Sequence, residues 1–193
     1  MEGVILKKIV ILTGSPHHPG TSESLADSFE KGAREAGNEL YRFDAGRRTS
    51  EFSLLQLQET PGTEEALEPD DIITKEVMPK LIEADVVVLV SSLYYYGINA
   101  ALKAVIDRFY AYNHDLHGNN GYKDSSHGNH QAITLISGYG QESAFRSLKA
   151  YFDQLLNYMR WDRISDVLAS DALNGAKLKK HQEEAYQLGK SIH

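Results

Sequence analysis

The stretch that decides the fold is residues 9–22, which read IVILTGSPHHPGTS. Its first four residues, Ile9–Leu12, form an apolar run that predicts a buried strand. An amphipathic helix is predicted next, because apolar residues recur on one stripe at Leu25, Ala26, Phe29, Ala33 and Ala36. A turn between a strand and a helix N-terminus gathers free backbone N–H groups at the positive end of the helix dipole. The stretch therefore predicts an α/β protein that binds an anion, above all a phosphate, at this turn.

The residues of the turn narrow the kind of phosphate site. The turn lacks the Gly-Lys-Ser/Thr ending of a P-loop and the G-x-G-x-x-G spacing of a dinucleotide-binding turn. It offers instead the hydroxyls of Ser15, Thr21 and Ser22, together with backbone N–H donors, which suit a single terminal phosphate. Thr21 and Ser22 are also natural helix N-caps, so an ordinary, well-capped strand-to-helix turn is the alternative.

Strand and helix patterns alternate along the rest of the chain. Apolar runs without alternation predict strands at Lys8–Thr13, Ala84–Ser91 and Gln131–Ser137, with weaker candidates at Glu39–Phe43 and Ile164–Ala169. Helical patterns lie at Ser22–Glu35, Asp71–Ile82, Ala100–Tyr112, Glu142–Met159 and Ala176–Ile192. Asp70 or Asp71 can cap the second helix, and Pro79 is expected to kink or split it. This order predicts one domain over residues 1–193, a doubly wound five-stranded parallel sheet with helices on both faces.

Composition excludes several classes of function. The formal net charge of −7 argues against non-specific binding to nucleic acid, which needs a basic face. Cysteine is absent, which excludes disulfides, thiolate metal sites and cysteine nucleophiles. The apolar runs are far shorter than the roughly 20 residues that span a bilayer, and the N-terminus does not resemble a secretory signal. We therefore expect a cytoplasmic protein without membrane insertion.

Two further loops fall at the same predicted edge of the sheet as the phosphate turn. One runs from Ser92 and Leu93 through three consecutive tyrosines to Gly97, and the other contains Ser137, Gly138 and Tyr139. Ligands of doubly wound sheets bind at this edge, and aromatic rings beside a phosphate site suit a flat heterocycle. The alternative is that one tyrosine packs in the core and two face solvent or a partner subunit. The three tyrosines are Tyr94, Tyr95 and Tyr96.

Two long polar segments, Asp44–Pro69 and Asn113–Asn129, interrupt the regular alternation. We expect such loops to be functional or to form an interface. Histidines in and beside the second segment could in principle hold zinc or nickel, but no fixed partner for them is visible. A solvated loop without metal is the preferred interpretation. These histidines are His114, His117, His127 and His130, with Asp115 and Asp124 nearby.

Four motifs in order resemble the NAD(P)H-dependent FMN reductases of the flavodoxin-like fold. They are Gly14-Ser15-Pro16 with Thr21-Ser22-x-x-Leu25, then Ala84-Asp85-Val86-Val87-Val88, then Tyr94-Tyr95-Tyr96-Gly97, then Leu102-Lys103-x-x-Ile106-Asp107-Arg108-Phe109. The C-terminal pattern Glu183–Lys190 also looks like that family's last helix. The resemblance implies a three-layer flavodoxin-like sandwich with strand order 2-1-3-4-5.

The resemblance also assigns roles to residues. Ser15, Gly20, Thr21 and Ser22 would hold the FMN phosphate, with His17 where relatives often place a basic residue. Ser92, Leu93, Tyr94, Tyr95, Tyr96 and Gly97 would line the isoalloxazine, and Ser137, Gly138 and Tyr139 would complete its other side. Asp107-Arg108 would have a structural and inter-subunit role rather than a catalytic one.

The implied activity is hydride transfer from NADH or NADPH to bound FMN. The electrons then pass to an acceptor such as a free flavin, a quinone, an azo or nitro compound, or a metal oxyanion. The chemistry is centred on the flavin, so no catalytic side chain is assigned. A homodimer or homotetramer is expected. A flavodoxin-type electron carrier and a scaffold protein without turnover are the alternatives.

This sequence departs from the family's pattern at two places. The cysteine-rich stretch of many members is replaced by Phe52–Leu57, so no thiol or iron–sulfur chemistry is expected there. The family's Thr-Pro before the aromatic loop is Ser91-Ser92 here, from which we expect a looser turn beside the flavin. Candidate partners for a 2′-phosphate of NADPH are Lys7, Lys8, Arg47 and Arg48, if the fold brings them to the site.

Overall fold

The computed structural model describes residues 6–60, 63–67, 69–116 and 130–193. Its strands are β1 (Lys8–Thr13), β2 (Glu39–Asp44), β3 (Gln56–Thr60), β4 (Thr63–Leu67), β5 (Val86–Ser92), β6 (Gln131–Ser137) and β7 (Asp162–Ala169). Its α-helices are α1 (Thr21–Glu35), α2 (Met78–Ile82), α3 (Ala100–Asp107), α4 (Asn113–Leu116), α5 (Arg146–Met159) and α6 (Gly175–Lys190). Five strands pair in parallel in the order β2-β1-β5-β6-β7. Numbered along the sheet strands alone, this is the order 2-1-3-4-5, so the predicted flavodoxin-like fold is confirmed.

Apolar side chains fill both faces of the sheet, as the unbroken runs in the strands predict. Ile9 and Ile11 of β1 pack on one face with residues of α1 and α6. Val10 and Leu12 pack on the other face with residues of α2, α3 and α5. Because successive side chains of a strand point to opposite faces, a strand covered on both sides must be apolar throughout.

Helices α1 and α6 lie against each other with their backbones in close contact. A Cβ atom at Gly32 would lie 2.1 Å from the carbonyl oxygen of Tyr186, and one at Gly189 would lie 2.2 Å from that of Phe29. Glycine at both positions therefore sets the separation of the two helices. Gly37, at φ 92°, follows the C-cap Ala36 and ends α1.

Three predicted helices are less regular than their patterns suggest. Residues 71–82 form a π-helical turn over Ile73–Val77 followed by α2, with Pro79 as the second residue of α2. Asp71 caps this segment, since its Oδ1 accepts hydrogen bonds from the amides of Ile73 and Thr74. In the other two helices, 3₁₀ turns occupy Arg108–Tyr112 after α3 and Glu142–Phe145 before α5.

The segment Asp44–Pro69 contains regular structure that the sequence reading missed. Strands β3 and β4 pair there as an antiparallel hairpin, separate from the main sheet. The fully buried Arg108 anchors the ends of this segment: its guanidinium pairs with Asp71 at 2.9 Å and lies 3.5 Å from the carbonyl oxygen of Ser53. Arg108 therefore has a structural role inside this chain, and the expected inter-subunit role of Asp107-Arg108 stays a prediction.

Candidate functional site

A cleft of about 230 Å³ lies at the carboxyl edge of the sheet, beyond the ends of β1, β5 and β6. Parallel strands bring the loops that follow them to one edge, so three segments distant in sequence meet there. The lining residues are Ser15, His17, Thr21, Ser92, Leu93, Tyr94, Ser137, Gly138, Tyr139 and Gly140.

Nine of the predicted site residues line this cleft, and Gly140 is an addition. Two others, Gly20 and Ser22, are not among the lining residues: Gly20 is the N-cap of α1, and Ser22 is buried and bonded to Ser92. Tyr95, Tyr96 and Gly97 belong to the turn beyond Tyr94 and are not among the lining residues. The sequence signal for Gly140 was its position in the glycine-containing loop after β6.

The first turn of α1 differs from the predicted capping pattern. Its N-cap is Gly20, which has no side chain to bond the helix amides, so capping by Thr21 or Ser22 is wrong. The hydroxyl of Thr21 lies 2.8 Å from Ser137 Oγ, and that of Ser22 lies 2.9 Å from Ser92 Oγ. Because these hydroxyls bond to other loops, they do not satisfy the first amides of α1, which also have no intrahelical acceptor.

A carboxylate at the rim of this turn contacts one histidine and one arginine. Glu23 Oε2 accepts a hydrogen bond from the Gly20 amide at 3.3 Å and lies 3.2 Å from His18 Nδ1, while Glu23 Oε1 pairs with Arg47. Burial alone would raise the pKa of Glu23, but the hydrogen bond from His18 and the charge of Arg47 outweigh it and lower that pKa. Glu23 is therefore ionised beside the site, with its charge locally compensated.

The short 3₁₀ turn Ala45–Arg47 packs directly on the phosphate turn. A Cβ atom at Gly46 would lie 2.1 Å from the carbonyl oxygen of Ser15 and 2.9 Å from that of Gly14. Only glycine allows this approach, so Gly46 fixes how closely the segment after β2 covers the phosphate turn.

The Ser91-Ser92 pair is tied to Asn99, the buried N-cap residue of α3. Asn99 Oδ1 accepts a hydrogen bond from the Ser92 amide at 2.9 Å and one from the Ser91 hydroxyl at 3.0 Å. The Asn99 amide in turn donates to Ser91 Oγ at 3.1 Å. A proline at position 92 would have no N–H for this bond. The turn is thus held by hydrogen bonds, which differs from the looser turn expected from the sequence.

Residues Tyr94–Gly97 form a tight turn in which two non-glycine residues are left-handed. Tyr95 has φ 47° and Tyr96 has φ 64°, and the backbones of Tyr94 and Gly97 hydrogen-bond to each other in both directions. Tyr95 is 100% exposed and Tyr96 is 68% exposed. Ser147 Oγ donates to the Tyr96 carbonyl oxygen at 2.7 Å, which anchors the turn on α5. All three tyrosines are exposed, so the alternative in which one of them packs in the core does not hold.

The loop after β6 closes the other side of the cleft. The Leu93 amide donates to the Ser137 carbonyl oxygen at 2.8 Å, which joins this loop to the one after β5. A Cβ atom at Gly138 would lie 3.2 Å from that of Leu93 and 3.0 Å from the ring of Phe145. Glycine at 138 therefore lets Leu93 form one wall of the cleft.

The candidate partners for the 2′-phosphate of NADPH do not lie together at the cleft. Lys8 begins β1, at the edge of the sheet opposite the cleft, and pairs with Glu83. Arg48 pairs with Glu51, whereas Arg47 alone reaches the rim of the phosphate turn through Glu23.

Among the described residues no group of three or more histidine, cysteine or acidic side chains is placed to hold a metal ion. His130 is buried, with Nδ1 2.6 Å from the Ala84 carbonyl oxygen and its ring 5.0 Å from that of Trp161. The side chains of His114, His117 and His127 lie outside the described residues. In the part of the chain that the structure describes, no helix is long and apolar enough to cross a membrane.

A family model for the flavodoxin-like fold matches residues 7–190, nearly the whole sequence. The chain belongs to this family. The family match agrees with the motif resemblance and with the strand order of the sheet. A search of curated proteins finds no match.

Solved structures of similar fold include several reductases. An NAD(P)H:quinone oxidoreductase from Methanothermobacter marburgensis shares 17% identity over 98% of this chain and 99% of its own, with a TM-score of 0.75. An azoreductase from Bacillus anthracis str. Sterne shares 14% identity over 97% and 100% of the two chains, with a TM-score of 0.67. An FMN-dependent NADH-azoreductase from Bacillus anthracis str. Ames Ancestor, solved in complex with FMN, shares 13% identity over 95% and 98%, with a TM-score of 0.63.

Proposed function

We propose that this protein is an FMN-dependent NAD(P)H oxidoreductase that reduces a small-molecule acceptor. The observation that carries the proposal is the cleft itself, where hydroxyls at the N-terminus of α1 meet an apolar and aromatic wall. The names of the similar structures, quinone reductase and azoreductase, support the same activity and favour a quinone or an azo compound as the acceptor. The proposed unit is one domain over residues 1–193, located in the cytoplasm.

The chemistry of the cleft fits FMN. Ser15 and Thr21 supply hydroxyls beside the unsatisfied first amides of α1, which is an arrangement that binds a phosphate. Leu93, Tyr94 and Tyr139 supply the apolar and aromatic surface that a flat ring needs. No lining residue is a carboxylate that would repel the phosphate, and Glu23 at the rim is compensated.

When bound, FMN would supply the capacity to take up a hydride and to pass electrons on. The lining residues include no Asp, Glu, Lys or Arg, and His17 is the one imidazole among them. The chain therefore acts by holding the phosphate, orienting the ring and leaving one side open. Tyr94, 45% exposed, and Tyr139, 57% exposed, flank this open side.

We also propose a homodimer or homotetramer. The left-handed turn of Tyr95 and Tyr96 exposes two aromatic rings beside the cleft, and exposed aromatic residues of this kind are enriched at protein interfaces. Size-exclusion chromatography with light scattering would measure the mass. We expect a multiple of 21.6 kDa, and a shift toward the monomer in a Tyr95→Ser/Tyr96→Ser variant.

The activity is tested in two steps with the full chain. Titration with FMN, followed by absorbance and flavin fluorescence quenching, should show saturable one-to-one binding. The loaded protein should then oxidise NADH or NADPH in the presence of a quinone or an azo dye. Binding without nicotinamide turnover would instead indicate a flavodoxin-type electron carrier. Failure to bind FMN would leave the scaffold interpretation and refute the proposal.

A further inference from the structure

A series of hydrogen-bonded hydroxyls connects the phosphate turn with the neighbouring loop after β5. Ser22 Oγ lies 2.9 Å from Ser92 Oγ, and Ser92 Oγ lies 3.3 Å from Ser15 Oγ. Ser15 Oγ also accepts a hydrogen bond from the His17 amide at 3.2 Å. Ser15 and Ser92 line the cleft, whereas Ser22 is buried behind them.

The number of available protons sets the direction of the hydrogen bonds between these hydroxyls. A serine hydroxyl has one proton to donate and two lone pairs with which to accept. The Ser92 hydroxyl donates to Ser15, so its single proton is used, and Ser22 must donate to Ser92. Ser15 then accepts twice, from Ser92 and from the His17 amide, and both of its lone pairs are filled.

The proton of Ser15 is the one donor that this series of hydroxyls leaves unused. Since its two lone pairs face protein donors and Ser15 lines the cleft, this proton is left for an acceptor in the cleft. An acceptor without protons of its own, such as a phosphate dianion, satisfies it best.

We propose that Ser92 is a positioning residue that directs the Ser15 hydroxyl toward the phosphate of the bound flavin nucleotide. The inference rests on the proposed function. It is specific to this chain, because Ser92 stands where the resemblance predicts proline, and a proline could neither donate a hydroxyl nor bond Asn99 through an N–H. The bond to Asn99 holds the backbone of Ser92, and the hydroxyl of Ser92 orients the phosphate turn.

The test compares FMN with riboflavin, which has the same ring without the phosphate. In Ser92→Ala we expect FMN affinity to fall about fivefold to tenfold, the scale of one hydrogen bond to a charged group, and riboflavin affinity to change less than about twofold. Ser28→Ala is the matched control, since Ser28 bonds only within α1, to the Ser24 carbonyl oxygen, and should change neither affinity. Thermal melts of each variant establish that it is folded.

A double-mutant cycle with Ser15→Ala tests whether Ser92 acts through Ser15. Because Ser92 is proposed to act through Ser15, the FMN loss caused by Ser92→Ala should largely vanish in the Ser15→Ala background. Equal losses for FMN and riboflavin in Ser92→Ala, or additive losses in the cycle, would overturn the role of Ser92 while leaving FMN binding in place. Failure of the unmodified protein to bind FMN would instead refute the proposed function.

Discussion

Two glycines with nearly the same local crowding should have different effects on the site. A Cβ atom at Gly46 would lie 2.1 Å from the Ser15 carbonyl oxygen, and one at Gly189 would lie 2.2 Å from the Phe29 carbonyl oxygen. Ordinary contact begins at 3.4 Å, so each alanine must push backbone away by more than an ångström. An alanine at position 46 would displace the phosphate turn, whereas an alanine at position 189 would displace the middle of α1.

Both variants should lose stability, Gly189→Ala somewhat less than Gly46→Ala. Overpacking of this kind costs about 1–3 kcal/mol, and in α6 the better helix propensity of alanine returns about 1 kcal/mol of that. For a chain of this length each kcal/mol corresponds to about 2–4 °C in Tm. We therefore expect Tm, measured by circular dichroism, to fall by about 2–12 °C in Gly46→Ala and by up to about 8 °C in Gly189→Ala.

FMN affinity should separate the two variants. Displacing the Ser15 backbone misplaces the donors of the phosphate turn, so Gly46→Ala should weaken FMN binding about tenfold, or about 1.4 kcal/mol. Gly189→Ala leaves that turn in place and should change the affinity by less than about twofold. The reasoning fails if both variants bind FMN equally well, or if neither loses stability.

Three further predictions concern stability. Asp71→Asn should destabilise the fold by about 3–5 kcal/mol because it leaves Arg108 buried without its counter-charge. Burial alone would raise the pKa of Asp71, but hydrogen bonds from Ser53 and Arg108 outweigh it and hold that pKa below its usual range. The stabilisation is therefore present above about pH 4 and is lost as pH falls further, so urea unfolding from pH 7 to pH 2 should show a larger acid-side loss in the unmodified protein than in Asp71→Asn. Gly175→Ala should raise Tm by about 1–4 °C, since a Cβ atom there meets nothing within 4 Å; no gain would indicate that Gly175 is not helical. Replacing Tyr95-Tyr96 by Asn-Gly should stabilise the turn by about 1–2 kcal/mol in denaturant unfolding, and a loss would contradict its left-handed backbone.

The positions of the sheet strands could be read from the sequence because the relevant signal is local, whereas their order was implied by the family resemblance. Buried parallel strands need unbroken apolar runs, and Ile9–Leu12 and Val86–Val90 are such runs. The βα loops that follow them must meet at one edge, so the regions around Ser15, Ser92 and Ser137 could be placed together.

Features that depend on contacts distant in sequence could not be read in the same way. The hairpin of β3 and β4 lacks a strong apolar alternation, and the ion pair of Arg108 with Asp71 joins residues 37 apart. The close approach of Gly46 to Ser15 also has no signal in the local sequence, since a glycine in a polar segment fits an ordinary loop equally well. Capping by Thr21 and Ser22 was mispredicted because their hydroxyls bond to Ser137 and Ser92.

The tyrosine turn shows where local preference and observed structure disagree. A turn with two left-handed residues favours Asn-Gly, and tyrosine at both positions costs conformational energy. Packing does not offset that cost for Tyr95, whose side chain is fully exposed. Conflicts of this kind are expected at functional sites, where a residue is kept for what it contacts outside the chain. Because the turn directly follows Tyr94 of the cleft wall, its rings are placed to meet either an acceptor at the open side or a second copy of the chain.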